Sequence, residues 1–245
     1  MTHINYWESI DSTNEELKRQ IANGLKRESC IVADMQTMGR GRKGRSFYSP
    51  KTTGIYMSYV YFTNEDVEKL VAVTGIAAVI TAKVLRKYTG KDIKIKWVND
   101  LYLNDRKICG ILTELVKAEE QNAVIVGIGI NLCTELFPED ISDRAGAVVE
   151  NNLNEPQIKT LKQDIINDIV AEFDMYRDNN SYEYIEDYIT MSNVIGKRIT
   201  VYLWNESFEA TACGITKKGE LIIQNDNGEE MILDSGEITI RFNQD

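Results

Sequence analysis

Histidine and paired cysteines, on which many active sites depend, are nearly absent from this chain of 245 residues. The single histidine is His3, which excludes Ser-His-Asp triads, Cys-His dyads and multi-histidine metal centres. The four cysteines are scattered without a C-x-x-C pair, so the sequence predicts neither a zinc site nor a disulfide framework. We expect them to be buried thiols in a reducing cytoplasm. Any chemistry must therefore use lysine, arginine, carboxylates, amides or a loosely held magnesium ion.

Long apolar runs and a positive net charge are also missing. No apolar segment reaches the roughly 20 residues that a membrane-spanning helix needs, and the first residues show no signal-peptide pattern. The 28 basic and 38 acidic side chains give a net charge of −10, which argues against a general nucleic-acid binder. We therefore expect a cytoplasmic protein that contacts neither membranes nor specific DNA.

The spacing of apolar residues predicts an α/β domain followed by a small all-β barrel. Strands are predicted at 4–10, 30–36, 54–62, 93–97, 108–115 and 123–130, the last nearly all apolar and so central in its sheet. Helices are predicted at 12–24, 64–88, 158–176 and 181–190. After residue 194 the chain has short alternating segments at 198–203, 208–215, 221–224, 231–233 and 238–242. We place the domain boundary after residue 192, which gives domains of 1–192 and 193–245.

A cluster of cations interrupts this acidic chain. Residues 39–45 read Gly-Arg-Gly-Arg-Lys-Gly-Arg, which is four cations and three glycines in seven residues. Glycines let the backbone approach a ligand closely, and arginine forks match carboxylate and phosphate oxygens. Two interpretations stand: a solvated basic loop, or a loop that holds two anions together while they react.

Two polar segments are candidates for ligand contacts. The run Ser12-Thr13-Asn14 offers hydroxyl and amide groups for a compact polar ligand, or it caps a helix in a capping box with Glu15. Asn99 and Asp100, after a predicted strand, offer oxygens to magnesium or to the edge of a nucleotide, or they form a turn.

Two further candidate segments lie at the ends of apolar strands. Lys107 stands at the mouth of one strand, where it either takes part in chemistry or is a solvated edge residue. The segment 127–131 reads Gly-Ile-Gly-Ile-Asn, and its alternating glycines either support a flat ligand or mark crowded backbone.

The order and spacing of these segments resemble the biotin protein ligases. The resemblance covers residues 11–132, and a weaker similarity at 236–241 lies where the small C-terminal barrel of that family ends. It implies an α+β fold: a mixed sheet flanked by helices, as in the catalytic core of class II aminoacyl-tRNA synthetases, plus an SH3-like barrel. It also implies two reactions, formation of biotinyl-5′-AMP from biotin and ATP, then transfer of biotin to a lysine of a biotin carboxyl carrier protein.

The resemblance also assigns roles to residues. Lys107, Arg42 and Asp100 would act in catalysis. Biotin or its adenylate would contact Ser12, Thr13, Asn14, Gln36, Gly39, Arg40, Gly41, Arg42, Arg45, Lys107, Gly110 and Gly129. The nucleotide would contact Arg42, Phe47, Asn99 and Asn131. Mg²⁺ would come with ATP, near Asn131, without a fixed protein site. The loop would order over the adenylate.

Departures from the family pattern are small, and the alternatives are distinct. Val98 stands where the family often has proline, and Phe47 where tryptophan is common. The motifs begin by residue 11, so we expect no winged helix-turn-helix of the kind that the repressor members carry. A lipoate–protein ligase would share the fold, and a non-catalytic module would use the loop to grip RNA or a phosphoprotein. The sequence leaves monomer and homodimer both open.

Overall fold

The computed structural model describes residues 2–65, 70–119, 121–150, 153–179, 184–203, 206–234 and 237–240. Its larger sheet has seven strands: β1 (His3–Trp7), β2 (Ser29–Ala33), β3 (Gly54–Thr63), β4 (Lys94–Lys96), β5 (Asp100–Leu103), β6 (Arg106–Ala118) and β7 (Gln121–Asn131). They lie in the order β1-β2-β3-β7-β6-β5-β4. Only the β1–β2 pair within this sheet of described residues is parallel, so the sheet is mixed. The apolar strand β7 is central, as predicted.

Helices cover both faces of this sheet. Successive side chains of a strand point to opposite faces, and both faces carry apolar residues that must be buried. Helix α1 (Thr13–Ala22) packs on one face, where Leu17 meets Ile31 and Ile125. Helices α2 (Leu70–Thr89), α3 (Glu155–Asn179) and α4 (Ile185–Met191) pack on the other, where the ring of Phe173 stacks on Tyr59 with centroids 5.1 Å apart. The predicted flanking helices are therefore confirmed. None of the described helices is both long and apolar enough to span a membrane.

The C-terminal part forms a separate five-stranded antiparallel sheet. Its strands are β8 (Arg198–Leu203), β9 (Glu206–Ile215), β10 (Leu221–Gln224), β11 (Glu230–Leu233) and β12 (Glu237–Ile240), in the order β11-β10-β9-β8-β12. These strands match the predicted small β segments. One buried core runs from the large sheet through α4 into the small one, so the boundary after residue 192 stays a prediction.

Some boundaries differ from the predictions. Strand β5 was not predicted, because it has only four residues and follows its neighbour after a three-residue turn. It continues into β6 through Asn104 and Asp105, both with positive φ, the combination that a tight hairpin turn requires. Parts of three predicted segments, 66–69, 181–183 and 241–242, lie outside the described residues, as do both ends of the 236–241 similarity.

Candidate functional site

A cavity of about 430 Å³ lies against the large sheet. Its walls are the N-terminus of α1, the cation loop (residues 39–45), the β4–β5 turn, β6, β7 and two side chains of the small sheet. The lining includes these predicted site residues: Ser12, Thr13, Asn14, Gln36, Arg40, Gly41, Arg42, Arg45, Phe47, Asn99, Asp100, Lys107, Gly110 and Gly129. Two others lie outside it. Gly39 closes the base of the loop, and the amide of Asn131 donates to the Gly146 carbonyl oxygen at 3.1 Å.

Hydroxyl and amide groups form a connected network at the α1 end of the cavity. Gln36 Oε1 accepts from the backbone N–H of Thr13 at 2.9 Å and lies 3.1 Å from Thr13 Oγ1, while Gln36 Nε2 donates to Ser49 Oγ at 3.0 Å. Ser12 occupies the N-cap position of α1, but within the described residues its side chain makes no capping hydrogen bond. The capping-box interpretation is therefore wrong, and these buried polar groups face the cavity instead.

Three hydrogen bonds hold the side chain of Asn14 in place. Its Nδ2 donates to Glu114 Oε2 at 2.8 Å and to the Leu112 carbonyl at 3.3 Å, and its Oδ1 accepts from Ser58 Oγ at 2.5 Å. Glu114 in turn pairs with Lys18 at 2.7 Å, so its charge is balanced away from the cavity. A buried amide with this many partners keeps one orientation, which suits it to recognise a fixed polar pattern.

Glycines on β6 and β7 form the floor of the cavity. Gly110 and Gly129 are cross-strand partners, and the ring of Phe47 lies directly on them. A Cβ on Gly129 would come within 2.5 Å of Phe47, and one on Gly127 within 2.2 Å of Asn14 Oδ1. The alternating glycines therefore give a flat floor on which an aromatic ring already packs, rather than only crowded backbone.

The cation loop is closed by its own backbone and anchored at two points. Gly41 N–H donates to the Arg45 carbonyl at 2.7 Å, and Phe47 N–H to the Gly39 carbonyl at 2.8 Å. Arg40 pairs with Glu15 on α1 at 3.0 Å, and Arg42 donates to Asn99 Oδ1 at 3.1 Å. The loop thus bridges the polar network and the β4–β5 turn. That it orders only over a ligand stays a prediction.

Lys107 and Asp100 form an ion pair at the other end of the cavity. Lys107 Nζ lies 2.7 Å from Asp100 Oδ1, and both side chains are only partly exposed, at 33% and 22%. Two backbone hydrogen bonds fix the main chain at Lys107. Its N–H donates to the Arg144 carbonyl oxygen at 2.8 Å, and its carbonyl oxygen accepts from the Gly146 N–H at 2.9 Å. Lys107 is therefore a positioned ammonium in the cavity rather than a mobile edge residue.

Two titratable neighbours of this ion pair, Tyr102 and Cys109, have raised pKa values. Burial raises the pKa of the Tyr102 phenol to about 12, and the nearby charge of Asp100 adds to the effect. Burial also raises the pKa of the Cys109 thiol well above its usual range. Neither group would ionise near neutral pH, so the reactive polar groups at this end are Lys107 and Asp100.

The donor set does not favour a metal site built by the protein. Among the residues that the structure describes, no three His, Cys, Asp or Glu side chains come together as metal ligands. Asp100, the carboxylate of the cavity lining, is already engaged with Lys107. A magnesium ion at this site would therefore depend on oxygens that its ligand brings.

Several lining residues were missed at the sequence level. Gly127 lies inside the glycine segment 127–131, and Lys96 and Trp97 lie in the predicted strand just before Asn99 and Asp100. These sequence positions were the available signal. Tyr202 and Ile238 come from the small sheet, far along the chain from the other lining residues, and had no local signal. Ser58 and Glu114, which hold Asn14, lie in strands that read only as apolar core.

The arrangement suits the joining of two anions. Arg40, Arg42, Arg45 and Lys107 line one cavity, so cationic groups from the loop and from β6 act in the same space. In surroundings of low dielectric, two anionic reactants repel each other strongly unless cations stand beside them. The polar network at the α1 end adds a place for an uncharged, hydrogen-bonding group.

Comparisons with known proteins agree with this site. The model of the biotin/lipoate A/B protein ligase family matches residues 6–131, and that of the biotin protein ligase C terminal domain matches residues 194–241. The bifunctional ligase/repressor BirA of Escherichia coli (strain K12) is 28% identical over 233 residues, covering 95% of this chain and 72% of that protein. The biotin–[acetyl-CoA-carboxylase] ligase of Mycobacterium tuberculosis is 25% identical over 244 residues, covering 95% and 89%. The structure of the biotin protein ligase from Aquifex aeolicus in complex with biotin and ATP superposes with a TM-score of 0.76 at 26% identity, covering 98% of this chain and 99% of that one.

Proposed function

The chain belongs to the biotin/lipoate A/B protein ligase family, and from that premise we propose that it is an ATP-dependent biotin protein ligase. It would join biotin to ATP as biotinyl-5′-AMP and then transfer biotin to a lysine of the carrier domain of a biotin-dependent carboxylase. One observation carries the proposal: a cavity floored by glycine backbone holds the loop arginines, Lys107 and an ordered hydroxyl–amide network together. Biotin has matching parts, a compact polar ring system at one end and a carboxylate at the other.

The first step needs charge neutralisation more than acid–base chemistry. A carboxylate oxygen of biotin attacks the α-phosphorus of ATP, and the bond from that phosphorus to the bridging oxygen breaks, releasing pyrophosphate. Arg40, Arg42 and Arg45 would bind the phosphates, and Lys107 the reacting carboxylate and α-phosphate. Removing one such preorganised group in a water-poor site typically lowers the rate by about 10²–10³-fold. Magnesium brought by ATP would neutralise further phosphate charge.

The second step needs a neutral amine. The carrier lysine attacks the carbonyl carbon of the mixed anhydride, the bond to the AMP oxygen breaks, and the amine loses a proton. Asp100 lies at the cavity wall next to Lys107 and would receive that proton once a ligand has drawn the Lys107 ammonium away.

The remaining contacts follow the length of the cavity. We assign the polar head of biotin to Ser12, Thr13, Asn14 and Gln36, since these groups are ordered before a ligand binds. Phe47 and Asn99 would contact the nucleotide, and Asn131, which lies outside the lining, would act at its far side. Gly41 would let the adenylate lie close to the loop backbone, Gly110 and Gly129 would support the Phe47 ring against which it packs, and Gly39 would close the loop beside it.

Cellular context is part of the proposal. Four free cysteines, three of them buried, support a reducing compartment, which we take to be the cytoplasm. The net charge of −10 gives no support to the repressor role in the name of the E. coli relative, so we propose no sequence-specific DNA binding.

Adenylate formation tests the first step directly. The protein is incubated with Mg-ATP and either biotin or lipoate, and biotinyl-AMP, lipoyl-AMP and pyrophosphate are quantified by liquid chromatography and mass spectrometry. We expect biotinyl-AMP and stoichiometric pyrophosphate with biotin only. Lipoyl-AMP as the main product would support the lipoate ligase instead, and no adenylate with either acid would favour a non-catalytic binding module.

A further inference from the structure

The small sheet contributes directly to the cavity wall. Tyr202 on β8 and Ile238 on β12 both line the cavity, and these two strands are paired. Ile238 is buried, whereas Tyr202 is 45% exposed, so Tyr202 both lines the cavity and contacts solvent. Tyr202 is therefore placed to cover whatever occupies the cavity.

A buried hydrogen bond also connects the cavity wall to the small sheet. Trp97, in the β4–β5 turn, lines the cavity, and its Nε1 donates to the Gly219 carbonyl oxygen at 3.0 Å. Gly219 has φ +85°, and its turn between β9 and β10 is closed by hydrogen bonds between Thr216 and Glu220. The acceptor is therefore a fixed point of the small sheet rather than a loose loop.

We propose that Trp97 is a positioning residue that holds the small sheet over the cavity, so that Tyr202 shields the adenylate until the carrier lysine arrives. This inference rests on the proposed ligase function. The mixed anhydride is hydrolysed if water reaches it, and the cation loop covers the cavity from the large domain only. A second cover from the small sheet completes the exclusion of water.

Other contacts keep the fold intact when this bond is lost. Tyr188 and Met191 of α4 and Val194 belong to the core that joins the two sheets. Replacing the Trp97 indole by a phenyl ring removes the donor, leaves the buried Gly219 carbonyl without its partner, and keeps an aromatic ring in place. We therefore expect a change in how closely the sheet is held rather than unfolding.

The rate at which bound adenylate is lost measures how well Trp97 and Tyr202 protect it. Enzyme carrying labelled biotinyl-AMP is freed of substrates on a spin column, and loss of bound adenylate is followed without carrier. Trp97→Phe should speed the loss about tenfold, the equivalent of one buried hydrogen bond. Tyr202→Ala should also speed the loss, because it removes the covering ring. Tyr202→Phe keeps the ring and should restore retention. Trp7→Phe, the same change at an exposed tryptophan of β1, is the matched control and should behave as wild type.

Two further readouts separate positioning from general damage. The dissociation constant for biotin without ATP should change by less than about twofold in Trp97→Phe, since the polar network lies elsewhere in the cavity. Amide hydrogen exchange of residues 216–220 should become faster in Trp97→Phe but not in Trp7→Phe.

The outcomes are distinct. Wild-type retention together with unchanged exchange in Trp97→Phe would overturn the positioning role. If the wild-type protein forms no adenylate, the proposed function fails, and the exchange measurement still decides whether Trp97 holds the small sheet.

Discussion

A methyl group added to Gly127 should disrupt the polar end of the cavity. Its Cβ would lie 2.2 Å from Asn14 Oδ1, about 1.2 Å closer than the 3.4 Å at which ordinary contact begins. Asn14 is only 3% exposed and is held by Ser58, Glu114 and the Leu112 carbonyl. It cannot withdraw without giving up at least the hydrogen bond to Ser58.

The magnitude follows from these contacts. Overpacking a buried site costs roughly 1–3 kcal/mol, and a lost hydrogen bond about 1 kcal/mol. For Gly127→Ala we expect the free energy of unfolding to fall by about 2 kcal/mol. If Asn14 binds the polar head of biotin, displacement of its amide by ~1 Å should also weaken biotin binding by about tenfold or more.

Calorimetric titration with biotin and chemical denaturation measure the two effects. Gly214→Ala is the matched control, because its Cβ would meet only Ile222 at 3.7 Å, an ordinary contact. Its unfolding free energy should stay within about 0.5 kcal/mol of wild type. Biotin affinity unchanged in Gly127→Ala, with the expected loss of stability, would refute the assignment of biotin to Asn14; unchanged stability would refute the packing argument itself.

Three other predictions follow from the site and the core. Lys107→Ala should keep the fold but lower the rate of adenylate formation by about 100-fold or more, measured by pyrophosphate release. Trypsin should cleave the loop 39–45 more slowly with biotin and Mg-ATP than without, if the loop orders over the adenylate. Asp174→Asn should lower the free energy of unfolding by about 1 kcal/mol at pH 7 but by less at pH 3. Burial raises the pKa of Asp174, but hydrogen bonds from Thr2 and Tyr59 outweigh it and hold the pKa below its usual 3.8, so this stability is lost as the pH falls below that value.

Controls on the same elements sharpen these predictions. Lys117→Ala, at an exposed position of β6, should leave pyrophosphate release unchanged, and wild-type release from Lys107→Ala would remove that lysine from the chemistry. Asp178→Asn, at an exposed pair of α3, should change stability little at either pH. An Asp174→Asn variant equally destabilised at pH 7 and pH 3 would contradict its ionised state. Equal cleavage near Arg42 with and without ligand would contradict ordering of the loop.

Local patterns predicted most of the fold because each strand carries its own signal. The alternation of β3 and the apolar run of β7 identify a two-sided buried sheet without reference to any partner. Strand β5 could not be predicted in this way, since its four residues carry too little pattern. The Asn104-Asp105 pair that returns the chain into β6 was the signal available for it.

The same distinction between local and non-local signals applies to the residues of the site. Arg42 and Lys107 were predicted because each lies in a local sequence segment that resembles the biotin protein ligases. Ser58 and Tyr202 were not, because their roles depend on which strands lie next to each other. Ser58 faces Asn14 only because β3 pairs with β7 under α1, and Tyr202 reaches the cavity only because the small sheet packs against the β4–β5 turn.

Transfer of biotin to a carrier tests the central claim most directly. The protein is incubated with biotin, Mg-ATP and a biotin carboxyl carrier domain, and the intact mass and modified residue of the carrier are determined by mass spectrometry. We expect one biotin added to a single lysine, dependent on ATP and lost in Lys107→Ala. A carrier whose mass does not change, or that gains lipoate in preference to biotin, would contradict it.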